Sequence, residues 1–100
     1  MSDTSMSYYF VANIKIKDQA EYKIYLKEVD NVFSKFNGRY LAVDDHPKIL
    51  EGEWDYTRVV IIEFKTKSDF NRWYNSKEYQ AILEYRIKAS ESDTILIKGK

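Results

Sequence analysis

A carboxylate and a carboxamide stand in two extended apolar stretches of this chain. Asn13 lies in YFVANIKIK (residues 9–17) and Glu63 in RVVIIEF (residues 58–64), at positions whose alternation sets both on one face of a sheet. A carboxyl partly withdrawn from water there would rise in pKa toward a range useful for proton transfer. The same position also suits a plain ion pair of Glu63 with Lys15 or Arg58, or a polar strand end facing solvent. Arg39 and Arg58 each open a strand, and Arg86 falls on the last helix near Tyr79. Two such guanidinium groups can hold a carboxylate or enolate by paired hydrogen bonds, although Arg58 can equally pair with Glu51 or Glu53 across a hairpin. Tyr74 and Tyr79 carry hydroxyls that could reach a pocket mouth. Trp54, beside the Glu51-Gly52 turn, is placed to pack on a rim or on a partner subunit, whereas Trp73 at helical spacing from Phe70 reads as core. The candidate catalytic set is therefore Glu63 as base with Asn13 and Tyr74 as hydrogen-bonding groups. The candidate ligand-binding set is Arg58, Arg39, Trp54, Tyr79 and Arg86.

Other chemistries are disfavoured. With no cysteine among 100 residues, disulfides, thiolate nucleophiles and Cys-ligated zinc are excluded. His46, the sole histidine, sits in DDHPK. Asp44, Asp45 and His46 could attract a metal or form an acid–base pair, but one Pro-flanked loop is a poor frame for a three-ligand site, so no metal is expected. No Gly-rich phosphate loop, dinucleotide fingerprint or nucleophile elbow is present. Sixteen basic and sixteen acidic side chains give a net charge of +0, which offers nucleic acid no clustered positive charge. No apolar run approaches the roughly 18–20 residues that cross a bilayer, and MSDTSMS has neither the positive start nor the apolar stretch of a signal peptide. Residues 1–7 are expected to be a flexible leader, residues 8–100 one domain, and the location cytoplasmic.

The elements that must position these groups follow from periodicity. Residues 9–17 alternate, with Ala12, Ile14 and Ile16 on one side and Val11, Asn13 and Lys15 on the other. Asp18 then caps a helix, with Glu21 three residues on, along which Tyr22, Tyr25, Leu26, Val29, Val32, Phe33 and Phe36 form one apolar stripe. Asn37-Gly38 is expected to end it in the left-handed conformation. RYLAV (39–43) reads as a second strand and KILEG (48–52) as a short edge hairpin, with a positive φ at Gly52. RVVIIEF is the third strand. Ser68 is expected to cap a short helix, which Ser76 restarts through Tyr79, Ile82, Leu83 and Ile87. TILIK (94–98) closes the domain as a fourth strand. The order is β-α-β-β-α-β, the ferredoxin-like split arrangement of an α+β fold, with a four-stranded antiparallel sheet and helices on one face. Yet Val59 and Ile61 are apolar opposite Val60, Ile62 and Phe64. A strand apolar on both sides is covered on both sides, which points to a homodimer packed sheet to sheet as a dimeric α+β barrel, with Val11, Val59 and Ile61 near the interface.

The order and spacing of YFVANIKIKD, GRYLA, LEGEW, RVVIIEF and WYNSKEYQ resemble the domain-of-unknown-function 1330 family of the dimeric α+β barrel superfamily, over nearly the whole chain. The resemblance implies fold and dimerisation, and supplies no reaction. Superfamily relatives include small monooxygenases, isomerases and haem-handling enzymes, an analogy of fold alone. Haem-degrading relatives are similar in a strand-one Asn and a helix-two Trp, here Asn13 and Trp73, but they need a late histidine ligand and none follows His46. No cofactor is expected. The RNA-recognition pattern of strand aromatics is missing from RVVIIEF. Two readings remain: a barrel that binds a small organic ligand in a cleft on the sheet face, with cofactor-independent proton transfer or oxygenation, and a non-catalytic sensing or protein-interaction module.

Overall fold

The computed structural model describes residues 7–100, so all of the expected leader except Ser7 lies outside the described residues. Seven elements follow in order: β1 (Tyr8–Ile16), α1 (Gln19–Phe33), β2 (Gly38–Asp44), β3 (Arg58–Phe64), α2 (Lys67–Tyr74), α3 (Lys77–Ala89) and β4 (Ser90–Lys98). The strands form one antiparallel sheet in the order β2-β3-β1-β4, which puts β1 and β3 at its centre. This is the ferredoxin-like α+β fold expected from the pattern. Among the described residues no helix is long and apolar enough to cross a membrane.

Local chemistry explains most boundaries. Asp18 accepts from the Glu21 N–H at 3.1 Å and starts α1, whose stripe of Tyr22, Tyr25, Val29, Val32 and Phe33 is buried. Three expectations are corrected here. Helix α1 ends at Phe33 with Ser34 as its right-handed cap, and Gly38 opens β2 without a positive φ. Gly38 is there for closeness: a Cβ would stand 2.5 Å from Phe33 Cζ and 2.6 Å from Phe64 Cε1. Thr66, not Ser68, caps α2, because its hydroxyl reaches the Asp69 N–H at 2.9 Å. On α3 the inward position goes to Arg86 rather than Ile87, which is 63% exposed. Ser76 does restart the helix, accepting from the Tyr79 N–H at 3.1 Å.

The even positions of β1 and β3 (Phe10, Ala12, Ile14, Val60, Ile62 and Phe64) join the helix stripes in one core. Trp73 sits at its centre, with ring centroids 5.5 Å from Phe10, 5.5 Å from Phe64, 5.6 Å from Phe33 and 4.2 Å from Tyr79. A bulge at Leu41 interrupts β2: Tyr40 pairs with Ile62, but Ala42 pairs with Ile61. One extra residue reverses the side each later residue faces. Beyond the bulge it is therefore the odd positions of β2, and Asp45 just past its end, that share the helix side with Arg58.

Residues 45–57 form no strand or helix, so the expected hairpin at 48–52 is replaced by an irregular loop, with Gly52 at φ +83° as expected. Trp54, 38% exposed, stacks edge-on against Tyr56 at 5.1 Å. The far end of the loop is fastened by Thr57 N–H to Ile14 O (2.8 Å), Lys15 to Asp55 (3.0 Å) and Tyr56 to Asp93. Strand β4 is longer than expected. Ser90 through Asp93 pair with Ile16 through Asn13, because a backbone ladder needs no apolar side chain.

Candidate functional site

The residues singled out by sequence divide between the two faces of the sheet. On the face away from the helices, the register sets Glu63 between Arg39 and Tyr9, and Asn13 between Val59 and Asp93. These two rows are four residues apart, about 13 Å along the strand, so Glu63 and Asn13 share a face without meeting. Glu63 accepts from Arg39 Nη2 at 2.7 Å. Contact with Ser7, outweighing desolvation and helped by Arg39, holds its carboxyl below the usual range. The upward shift expected from sequence does not occur, because hydrogen-bond donors rather than apolar atoms surround the carboxylate. Its ion-pair partner is Arg39 and not Lys15, which binds Asp55, or Arg58.

On the helix face the structure brings Arg58, Arg86 and Tyr79 together, with Tyr74 alongside. Arg86 is only 4% exposed, and its guanidinium lies 5.9 Å over the Tyr25 ring. Arg58 lies 5.9 Å over Tyr22, and its Nη1 donates to Asp45 Oδ1 at 2.7 Å, so its ion-pair partner is Asp45 and neither Glu51 nor Glu53. Tyr22 and Tyr25 bridge the two cations with rings 5.5 Å apart, and the Tyr25 and Tyr79 hydroxyls meet at 2.9 Å. Among the described residues Arg86 has no carboxylate partner, and the Nε atoms of Arg58 and Arg86 are buried without a hydrogen bond. Burial pushes the phenols of Tyr22, Tyr25 and Tyr79 above their ordinary values, so they stand as neutral donors. Tyr74 packs on Phe70 at 5.3 Å and Tyr79 at 5.7 Å, on the opposite face from Glu63 and Asn13.

Both arginines line a cavity of about 30 Å³ between sheet and helices, with Tyr22, Tyr25 and Tyr40 among its walls. Tyr22, Leu26 and Arg58 also line an outer groove of about 670 Å³, whose far wall is Asp45, His46 and Pro47. The inner space takes roughly two water-sized groups, the size of a carboxylate head. Two guanidinium groups and neutral phenols suit an anion; among the described residues no cluster of three or more His, Cys, Asp or Glu is arranged for a metal. Tyr22 and Tyr25 escaped the sequence reading because their spacing marks them equally well as core. Asp45 was singled out only with Asp44 and His46, and its pairing with Arg58 escaped because the bulge that turns it toward Arg58 leaves no signal in composition. Arg86, singled out for its nearness to Tyr79, also carried a signal of burial: it lies seven residues after Tyr79 and three after Leu83, on the buried stripe itself.

A helix-backed antiparallel sheet with a cleft between its layers defines the class: a small ferredoxin-like α+β protein. The chain belongs to the family described as Domain of unknown function (DUF1330), whose model matches residues 7–100. No curated protein matches it. Among solved structures it is similar to a protein of unknown function from Rhodopseudomonas palustris, at 17% identity and a TM-score of 0.79 over 99% of this chain and 86% of that one. It is also similar to SnoaB, a cofactor-independent oxygenase from Streptomyces nogalater, at 16% identity and 0.68 over 94% and 93% of the two chains. A dimeric ferredoxin-like protein of unknown function from Thermobifida fusca aligns at 11% identity and 0.64 over 99% and 94%. At these identities the likeness is one of fold.

Proposed function

We propose that this protein is a homodimer that binds a small organic anion in the cleft between its helices and its sheet. The observation that carries the reading is Arg86. A buried guanidinium without a carboxylate partner is costly, and a site that retains one beside a cavity is matched to a charge that arrives from outside. Arg58 and the neutral phenol of Tyr22 complete the recognition of an acid or enolate oxygen. The other face supports the dimer. Val11, Val59 and Ile61 are only half-buried, and on the adjoining strand β4 Ile95, in the row of Val11 and Ile61, and Ile97, one row on, are 58% and 45% exposed. An apolar sheet face of this kind is matched to a second copy, in keeping with the dimeric relative. The environment of Glu63, paired with Arg39 and shifted toward the ionised form, favours a binding module over proton abstraction by that carboxylate.

Native mass spectrometry of gently purified protein tests both parts. The expected spectrum is a dimer that retains a small acid, and Arg86→Met is expected to remain dimeric and lose it. A monomer at micromolar concentration would overturn the dimer. An Arg86→Met variant that retains the same adduct would overturn the cleft.

A further inference from the structure

The ion pair at the mouth of the cleft is uneven. Arg58 is fixed on a central strand with a side chain only 13% exposed, while Asp45 is 57% exposed on an irregular loop. Among the described residues, residues 45–56 donate no backbone hydrogen bond to another backbone group. What holds the corner is local: the His46 N–H donates to Asp44 Oδ1 at 2.8 Å, and Asp45 reaches Arg58 at 2.7 Å. The firm anchors of the loop lie at residues 55–57. Asp45 therefore supplies, from the protein itself, a carboxylate at the boundary between the outer groove and the inner cavity.

Resting on the reading of the cleft as an anion site, we propose that Asp45 is a built-in competitor that holds on Arg58 the place a ligand carboxylate takes. The ligand class this defines is a small organic carboxylate. Its acid head replaces Asp45 on Arg58 and turns toward Arg86, and its body lies in the outer groove against Tyr22, Leu26 and Pro47. Entry of the acid breaks the Arg58–Asp45 bond and frees the corner at His46. The groove thus opens only to a group able to outcompete a carboxylate already in place, which rejects neutral isosteres. A role for Asp45 in merely positioning Arg58 makes the opposite prediction, because its removal would then weaken anion binding.

The test follows the Arg58 and Arg86 Nε–Hε resonances by NMR during titration with acetate and with benzoate, at constant ionic strength, benzamide serving as the neutral control. Wild type is expected to bind benzoate weakly and benzamide not at all. Asp45→Asn, and independently Asp45→Ser, are expected to bind benzoate at least about fivefold more tightly, the ratio set by relief of one competing charge-assisted hydrogen bond. Each variant's own amide spectrum reports whether it is folded. Benzoate binding that is unchanged or weaker in both variants, with wild type binding, overturns the competitor role and leaves the anion site standing. Failure of both carboxylates to move either arginine resonance in wild type and in both variants overturns the anion site, and the competitor with it.

Discussion

A guanidinium withdrawn from water carries an effective penalty of several kcal/mol, and Arg86 has only ring faces and phenols around it. Replacing it by methionine, similar in volume and without charge, is expected to leave stability unchanged or to raise it by about 1–4 kcal/mol while abolishing carboxylate binding. Chemical denaturation beside a benzoate titration checks the two halves separately; a loss of stability together with retained binding would assign Arg86 to the core alone. Gly38 makes the opposite case. Its missing Cβ is the space occupied by Phe33 and Phe64, whose buried rings cannot swing aside. Gly38→Ala is expected to cost about 1–3 kcal/mol of overpacking, read as a lower denaturation midpoint at unchanged slope. At this scale the sequence was only half legible. Glu63, Asn13, Arg58 and Arg86 could be picked out as polar residues in apolar company, but which face and which neighbour each would have depended on register. Arg39 met Glu63 because β2 and β3 align those two positions, a fact of pairing that neither residue type announces.

Among the elements, β1, β3 and α1 were legible because burial imposes a period, two on the strands and between three and four on the helix. The polar first half of β4 was not, since its ladder to β1 depends on backbone groups common to all residues. The bulge in β2 was invisible for the same reason. Its removal gives a sharp expectation: deletion of Leu41 leaves Tyr40, Val43 and Asp45 on their present sides, so the Arg58–Asp45 contact should survive. Insertion of one alanine between Val43 and Asp44 adds a step beyond the bulge, turns Asp45 to the other side and should not preserve it. Comparison of the Arg58 Nε resonance in the two variants decides the matter. At the start of α2, loss of the Thr66 hydroxyl leaves the Asp69 N–H without its partner, and Thr66→Ala is expected to cost about 1 kcal/mol, whereas Ser68→Ala should cost less.

For the molecule as a whole, Ile61→Lys on the open face is expected to convert the proposed dimer to a monomer in sedimentation while leaving the helix-side cleft intact. The buried phenols set the alkaline limit. Tyr22, Tyr25, Tyr40 and Tyr79 all have raised pKa values through burial, so above about pH 10 the unfolded chain releases protons that the folded chain keeps. Their contribution to stability is full below that pH and lost above it. Absorbance at 295 nm should show these four ionising together with alkaline unfolding, not before it. The antiparallel β3 strand carries a further consequence. Its alternate residues address different audiences: Arg58, Val60 and Ile62 line the cavity beneath the helices, and Val59, Ile61 and Glu63 lie on the face proposed for a second copy. The strand is two interleaved texts written in its first six letters, with Phe64 closing the run in the core. Drift at any letter garbles one text or the other, so adaptation to a new ligand has its freedom elsewhere, in α1 and in the loop after β2, where one text is read at a time.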